Sequence, residues 1–273
     1  MSASSYAAAR LIRALPRVTL SKAVGRLCEQ PLPAPLSSLV QRTFCAAYDV
    51  QMAEAEHSGP FPTFDAFFTR ALRQGARPIA SSEIVSPADG KLSARGSIDP
   101  GARIFVKKQV YDVGELTGDA TEGRRYSGGS FGVIYLAPHN YHRVHSPVAG
   151  KIQLVRGIAG DLYPVNAIGE AHIDGLFVRN HRACICIDSE ALGRVSVVMV
   201  GATIVGRISV SVVPEPAVPI GTTKMDPAPS VERGEEIGMF HLGSTAVVLF
   251  EPGVSIDRDV GPVRMGESLL RES

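Results

Sequence analysis

The sequence predicts an α+β protein in which N-terminal helices pack on a mainly antiparallel, β-rich domain. Apolar residues recur at helical spacing before residue 80, whereas short alternating runs follow Ile84. Glycine, proline, asparagine and aspartate separate those runs, as they do in turns. With 27 glycines, 19 prolines and no tryptophan, the composition is typical of a turn-rich β protein. We therefore expect a helical region over 1–80 and a β-rich domain over 81–273.

The first thirty residues are basic and amphipathic. Five cations stand against a single acid. Leu20, Ala23, Val24 and Leu27 recur at helical spacing, and Thr19 is a candidate N-cap. Such a segment can bind an anionic bilayer surface through charge and shallow apolar burial. Packing on the domain and an organellar transit peptide are alternatives. No apolar stretch reaches the roughly 18 residues of a transmembrane helix.

Two further helical patterns follow. The first runs through Val40, Phe44, Ala47, Tyr48 and Met52. In the second, Thr63 can act as the cap and Gly75 with Pro78 ends the pattern. Its apolar face consists of Phe64, Phe67, Phe68 and Leu72. We interpret this phenylalanine cluster as core rather than as a lipid site.

Six strand patterns follow in the β-rich part. They cover 131–136, 151–155, 183–187, 195–200, 204–213 and 245–250. Prolines at 214–219 and at 227–229 bracket a stretch through Lys224. We expect that stretch to be a surface loop.

A short internal echo suggests two related turns. Val-Ser-Pro-Ala-Asp-Gly-Lys-Leu at 85–92 recurs as His-Ser-Pro-Val-Ala-Gly-Lys-Ile at 145–152. Each copy is a Ser-Pro turn followed by a glycine, a lysine and the start of an apolar strand. A pseudo-twofold axis in a small sandwich or barrel can relate such turns. A further tight turn at 234–238 is of the kind found in lipoyl-like, barrel-sandwich folds.

Charge and cysteine content exclude several function classes. The formal net charge is +1, which argues against broad nucleic-acid binding. The four cysteines, Cys28, Cys45, Cys184 and Cys186, match no zinc-binding spacing. We expect free thiols in a reducing compartment, with the last two on the same side of a strand.

Three short motifs carry candidate chemistry. Ser-Pro-Ala-Asp-Gly at 86–90 places Asp89 on a tight turn, and Tyr-His-Arg-Val-His-Ser-Pro at 141–147 contains His142 and His145. Leu-Gly-Ser-Thr at 242–245 places Ser244 directly before an apolar strand. Taken singly, each has an ordinary structural interpretation: a self-satisfied turn, two histidines on opposite faces of a strand, and a turn before a strand.

In this order the three motifs resemble the bacterial, pyruvoyl-dependent phosphatidylserine decarboxylase proenzymes. Further blocks extend the similarity over nearly the whole chain. They are Leu-Pro at 15–16, Phe-Phe-Thr-Arg at 67–70, Gly-Ala-Arg-Pro-Ile at 75–79, Tyr-Leu-Ala-Pro at 135–138 and Val-Gly-Ala-Thr-Ile-Val-Gly at 200–206. The sequence departs from the pattern at Asn140, where an aspartate is usual, and in a short loop before Gly234.

The resemblance implies a self-cleaving decarboxylase. Ser244 would be the nucleophile, His145 the base and Asp89 the orienting acid, and the attacked carbonyl would belong to Gly243. A strained or positive-φ conformation at Gly243 could help to distort that amide. Cleavage between 243 and 244 would give a large β chain and a small α chain that stay associated. Ser244 would become a pyruvoyl group that forms a Schiff base with phosphatidylserine and takes up electrons as carbon dioxide leaves.

The same resemblance assigns the remaining roles. His142 is the candidate for reprotonating the α carbon of the product, phosphatidylethanolamine, with packing or phosphate contact as its alternative. Arg70, Arg77 and Arg143 are candidates for the lipid phosphate or for structural ion pairs. His241 lies near the cleavage site, but we interpret it as a strand-surface residue; the other histidines are interpreted as structural. No metal is implied.

The implied setting is the cytoplasmic face of a bacterial cell membrane. Residues 1–80 would be the membrane-associating region and 81–273 the catalytic domain. The partner would be phosphatidylserine in an anionic membrane, the oligomer a homodimer, and nucleic acid would not be a partner.

Three other functions remain open from the residues alone. A serine hydrolase could use Ser244, His145 and Asp89, although the usual Gly-x-Ser-x-Gly turn is missing. A metal hydrolase could use Asp89, His139, His142 and His145. A non-catalytic lipoyl-like carrier would lack the exposed lysine hairpin that such modules need.

Overall fold

The computed structural model describes residues 16–203 and 207–271, without the side chains of 167 and 168. Arg10 and Arg13 of the basic segment therefore lie outside the described residues. Within them, helices come first and strands dominate from Gly90 onward. This order confirms the α+β prediction.

The N-terminal helices are α1 (Arg17–Cys28), α2 (Ala34–Tyr48) and α3 (Phe64–Phe68), with a 3₁₀ turn at Met52–Glu54. The predicted cap of α3 is confirmed, because the Ala66 amide donates to the Thr63 hydroxyl at 2.9 Å. The predicted helix end at Gly75 is wrong, since α3 stops at Phe68. Thr19 is not a cap either, because α1 has already begun at Arg17.

Helix α1 packs with its polar side inward. Arg17 is buried and its guanidinium binds Asp161, with Nη2 to Oδ2 at 2.5 Å. Leu20 and Leu27 are 42% and 68% exposed. In α2, Leu36, Leu39 and Tyr48 are also exposed. The two helices thus present apolar side chains outward, while Phe67 and Phe68 of α3 are buried as expected of core residues.

The β-rich part contains short helices and fourteen described strands. The helices are α4 (Val113–Thr117), α5 (Ala120–Arg125), α6 (Ala167–His172) and α7 (Leu176–Arg179). The first seven strands are β1 (Gly90–Ser97), β2 (Arg103–Val106), β3 (Gln109–Asp112), β4 (Ser130–Leu136), β5 (Arg143–His145), β6 (Gly150–Ile158) and β7 (Arg182–Ser189). The others are β8 (Gly193–Val200), β9 (Arg207–Val210), β10 (Gly221–Lys224), β11 (Ser230–Val231), β12 (Glu236–His241), β13 (Ser244–Phe250) and β14 (Gly261–Val263).

One large antiparallel sheet organises this part. Its strand order is β10-β6-β7-β8-β13-β4-β1-β14, with β11 also paired to β6. A smaller sheet has the order β5-β12-β9, and β2 pairs with β3 in a hairpin. Five predicted strands match β4, β6, β7, β8 and β13. Of the sixth, predicted over 204–213, β9 covers only 207–210, and its predicted end at 213 is wrong because residues 211 and 212 form a turn. The described strands close no barrel.

The stretch through Lys224 corrects the predicted loop. It forms β10, which pairs with β6 from Gly221↔Gly157 to Lys224↔Leu154. All four β10 residues are exposed. Backbone pairing at a sheet edge has overridden the local proline signal, because an edge strand needs no buried side chain.

The core lies on the central strands. Every residue of β13 is buried, and the strand pairs with both β4 and β8. Cys184 and Cys186 point to the same side of β7, with their sulfur atoms 3.7 Å apart, as free thiols. The prediction of free cysteines is confirmed for all four, two buried and two half-buried.

The two echoed turns meet in a reciprocal arrangement. The Val85 amide donates to the Pro147 carbonyl at 3.0 Å, and the His145 amide donates to the Pro87 carbonyl at 2.8 Å. Ser86 and Ser146 are both buried, and their hydroxyls donate to the carbonyls two residues onward. The bonds are equivalent under exchange of the two copies, which supports the pseudo-twofold prediction.

A second pair of turns extends this symmetry. The Gly266 amide donates to the Ser86 carbonyl and the Gly234 amide to the Ser146 carbonyl. Both glycines have positive φ, 85° and 83°, a conformation that glycine adopts without strain. Four turns therefore converge, and they bring the Asp89 turn beside His145.

Candidate active site

Asp89 is held by an arginine rather than by a histidine. Arg77 binds it with Nε to Oδ1 at 2.8 Å and Nη2 to Oδ2 at 2.5 Å. The Met265 amide also donates to Oδ1, at 2.8 Å. The side chains of Arg77 and Asp89 are only 6% and 7% exposed. This is a buried, bidentate ion pair, the strong form of such an interaction.

His145 is fixed as one tautomer by its neighbours. Its Nδ1 lies 2.8 Å from the Gly234 carbonyl oxygen, which can only accept, so Nδ1 carries the hydrogen. In the neutral ring, Nε2 then accepts from the Tyr141 hydroxyl at 3.0 Å. Burial lowers the pKa of His145. The ring is therefore neutral near pH 7, with a basic lone pair on Nε2.

His142 is fully buried and only half satisfied. Its Nδ1 donates to the Asn140 carbonyl oxygen at 2.8 Å, and its ring lies 4.1 Å from that of Phe68. Its Nε2 has no hydrogen-bond partner among the described residues. Burial lowers the pKa of His142 to about 3. The ring is neutral at pH 7 and must take up a proton before it can donate one.

Ser244 begins β13 with a buried hydroxyl. The residue is 1% exposed, and its Oγ has no partner among the described residues. With Gly243 it lines a cavity of about 130 Å³ that Leu136 and Thr203 also border. A hydroxyl that makes no structural hydrogen bond is available for chemistry.

The strained backbone lies one residue earlier than predicted. Leu242 has a φ of 88°, which is uncommon for a residue with a branched side chain. Gly243 does not have a positive φ. The expectation of a positive φ at Gly243 is therefore wrong, and the strain sits on the peptide that enters the Gly243–Ser244 segment.

The structure brings together only part of the predicted Asp–His–Ser series. The Asp89 turn and His145 are joined through the Pro87 carbonyl, but no hydrogen bond links their side chains among the described residues. His145 and Ser244 are likewise not hydrogen-bonded to each other. Asp89 borders a different cavity from Ser244.

His241, three residues before Ser244, has an environment that the sequence did not predict. It was interpreted as a strand-surface residue, but it is buried. Its Nδ1 lies 2.8 Å from Asp65 Oδ1 and its Nε2 lies 3.1 Å from Ser209 Oγ. A histidine three residues before Ser244 was the only local signal, because Asp65 is 176 positions away.

The three arginines predicted as candidates for the lipid phosphate differ in their ion-pair partners. Arg77 pairs with Asp89 and Glu54, and Arg143 pairs with Glu236 at 2.8 Å. Arg70 makes no ion pair within the described part of the chain. Across those same residues, no group of three or more His, Cys, Asp or Glu side chains is placed to hold a metal ion. The four side chains that a metal hydrolase would use are thus not gathered.

No described helix is long and apolar enough to cross a membrane.

Comparison with known proteins places these features in a family. Residues 64–271 match the family described as phosphatidylserine decarboxylase. The chain is 40% identical over 249 residues to a phosphatidylserine decarboxylase proenzyme of Myxococcus xanthus, covering 89% of each chain. It is 37% identical over 273 residues to one of Anaeromyxobacter, covering 94% of this chain and 95% of the relative. A third, from Chromobacterium violaceum, is 38% identical over 274 residues and covers 93% and 95%.

Proposed function

Because the chain belongs to the phosphatidylserine decarboxylase family, we propose that it cuts itself before Ser244 and then decarboxylates phosphatidylserine to phosphatidylethanolamine. The observation that carries the proposal is the Ser244 hydroxyl, which is buried and without a partner among the described residues. A strained residue, Leu242, precedes the bond to be cut.

Self-cleavage begins with proton removal from Ser244. His145 is the base, because its Nε2 carries the lone pair and burial keeps the ring neutral. In the uncut chain the Tyr141 hydroxyl donates a hydrogen bond to His145 Nε2. It must therefore move aside or relay the proton. The freed Oγ attacks the Gly243 carbonyl carbon, and the acyl group passes from nitrogen to oxygen.

Chain cleavage follows from the ester. A base removes the α proton of residue 244, and Gly243 departs as a carboxylate. Water converts the remaining enamine to a keto group and releases ammonia, so that the small chain starts with a pyruvoyl group. The Ser244 hydroxyl makes no hydrogen bond among the described residues, so its conversion removes no such contact. When formed, the pyruvoyl carbonyl supplies the electron sink for loss of carbon dioxide.

Asp89 acts at a distance in this arrangement. Its carboxylate accepts hydrogen bonds from Arg77 and from the Met265 amide. The Pro87 carbonyl, in the same turn as Asp89, accepts a hydrogen bond from the His145 amide. We propose that this turn holds His145 in place. His142, neutral and with a free Nε2, is proposed to receive a proton and then pass it to the α carbon of the product.

The two fragments are proposed to remain together. The small piece, 244–273, would contain β13, which lies between β4 and β8 and is buried along its whole length. It would also contain Met265, which binds Asp89. Separation would break two strand ladders and expose the core, both at high cost in free energy.

Membrane contact is proposed through residues 1–80. Leu20 and Leu27 of α1 and Leu36 and Leu39 of α2 are exposed, and the helix ends carry basic residues such as Arg26. Exposed apolar side chains beside cations are typical of interfacial helices. We propose a peripheral position on the cytoplasmic face of the cell membrane, and a homodimer as the assembly.

The first experiment is intact-mass analysis of the purified chain beside Ser244→Ala. We expect two fragments that meet at Gly243/Ser244 in the natural chain and one uncut fragment in the variant. Ser130→Ala is the matched control, because Ser130 is also buried and its hydroxyl has no hydrogen-bond partner in the described structure. Cleavage should continue in that variant.

The second measurement follows carbon dioxide release from phosphatidylserine in anionic vesicles. Activity should appear with cleavage, resist chelators and be lost on treatment with a carbonyl reagent. A folded chain that stays uncut would refute the pyruvoyl assignment and favour the serine hydrolase alternative. A cut chain that releases no carbon dioxide would refute the substrate assignment alone.

A further inference from the structure

A charged cavity of about 290 Å³ lies beside the histidine segment. Its wall includes Arg70, Arg77, Asp89, His139 and Tyr141. The neighbouring residue, Pro138, borders the cavity of Ser244. Consecutive residues of one short chain segment therefore border the two cavities.

Most charges in this cavity are already paired. Arg77 binds Asp89 and Glu54, and Glu54 also faces Arg264 at 3.4 Å. The remaining arginine–carboxylate pair is Arg258 with Glu267 at 2.7 Å. The remaining acid of the wall, Asp49, is exposed and accepts a hydrogen bond from Gln51.

Arg70 differs from these arginines. It is 5% exposed and has no carboxylate partner among the described residues. Its two terminal nitrogens reach the Phe67 and His139 carbonyls only at 3.5 Å, the long limit of a hydrogen bond, and its Nε has no partner among residues 16–203 and 207–271. Burial lowers its pKa.

Arg182 shows how this fold stabilises a purely structural buried arginine. It is 4% exposed and also lacks a carboxylate partner within the described residues. Its guanidinium donates to the carbonyls of four residues at 2.6 to 2.9 Å, namely Glu115, Leu116, Val178 and Asn180. Within the described part of the chain Arg70 has no comparable set of acceptors, although a buried cation needs them.

We propose that Arg70 binds the phosphate group of the substrate's headgroup. The inference rests on the proposed function. The sequence offered three arginines as candidates for the lipid phosphate, and the structure distinguishes Arg70 from the other two because Arg77 and Arg143 have carboxylate partners. A guanidinium can hold two phosphate oxygens at once. The reacting serine part of the headgroup would then lie toward the Ser244 side of the segment.

The first test measures phosphate binding without any turnover. In the uncut Ser244→Ala chain, inorganic phosphate should raise the melting temperature, and acetate at equal ionic strength should not. Arg70→Gln should abolish the phosphate effect. Arg182→Gln, the matched control, should lower the melting temperature but retain the response to phosphate.

The second test uses the cleaved enzyme. Arg70→Gln should raise KM for dispersed phosphatidylserine tenfold or more, since a hydrogen bond to a charged group contributes about 1.5–3 kcal/mol, and should change kcat much less. Arg70→Lys should recover part of the loss, because it keeps the charge but not the two-pronged geometry. Glycerol phosphate should inhibit the natural enzyme and fail to inhibit Arg70→Gln.

Distinct results would overturn the assignment. An unchanged KM with a lower melting temperature would make Arg70 a structural residue like Arg182. If acetate instead of phosphate raised the melting temperature of the Ser244→Ala chain, and Arg70→Gln abolished that rise, Arg70 would bind a carboxylate and the phosphate assignment would be refuted. If phosphate binding depends on Arg70 but no phosphatidylserine is decarboxylated, the anion site survives and the proposed function fails.

Discussion

Replacing Arg77 by glutamine would remove the partner of Asp89. Two of the guanidinium nitrogens bind the carboxylate, and one of these also binds Glu54 at 2.8 Å. Burial acts against the charge of Arg77, but the hydrogen bonds with Asp89 and Glu54 outweigh it and raise its pKa. The variant would leave Asp89 as a buried carboxylate with only the Met265 amide as a donor.

The magnitude follows from the burial of the pair. Both side chains are less than a tenth exposed, and breaking such a pair from one side costs about 3–5 kcal/mol. Arg103 offers a matched control, because its pair with Asp99 is 55% and 20% exposed. Exposed pairs contribute about 0.2–1 kcal/mol. The two glutamine variants should therefore differ by several kcal/mol.

The assay is urea unfolding of the uncut Ser244→Ala chain with each second substitution. We expect the midpoint to fall steeply for Arg77→Gln and hardly at all for Arg103→Gln; in parallel thermal unfolding, the melting temperatures of the two variants should differ by roughly 4–19 °C. Equal losses in the two variants would show that the Arg77–Asp89 pair contributes no more than a surface pair. The reasoning from burial would then be refuted.

Three further predictions concern other buried groups. Asp65→Ala should cost about 1–3 kcal/mol of stability, because the buried His241 ring loses its hydrogen-bond partner; Asp65→Asn should retain most of that stability, and equal unfolding midpoints for Asp65→Ala and the parent would contradict this structural role. The pKa of His142 lies near 3 in the folded chain and near 6.5 when unfolded, so the unfolded state binds the proton first. Stability should fall by about 2 kcal/mol between pH 7 and pH 5 through this group; His142→Phe should lose less than the parent over that interval, and equal losses would refute the assignment. Cys184 and Cys186 are fully buried, so they should react with a thiol reagent only as fast as the chain unfolds, and rapid labelling of both in the native protein would count against the described core.

Family membership and self-cleavage chemistry depend on different kinds of observation. The motifs at 86–90, 141–147 and 242–245 identify the family in the sequence alone. The tautomer of His145 is decided by Gly234, a residue 89 positions away. The engagement of Asp89 by Arg77 is likewise not written in the local spacing of either motif.

The wrong predictions share a cause. Lys224 was assigned to a loop from nearby prolines, and the end of α3 was placed at a glycine seven residues too late. Positive φ was expected at Gly243 and occurs at Leu242. Each of these predictions relied on the conformational preference of nearby residues. Strand pairing or packing with distant parts of the chain outweighed that preference.

The sequence by itself determined the features that depend on near neighbours. Strand alternation, the Thr63 cap and the echoed Ser-Pro turns were readable because their periods and bonds span only a few residues. Tertiary structure alone decided where Ser244 lies and, among the residues that the structure describes, that Arg70 has no carboxylate partner and that His142 Nε2 makes no hydrogen bond. Those properties depend on atoms brought together from positions tens to hundreds of residues apart, and on the exclusion of water that their packing produces.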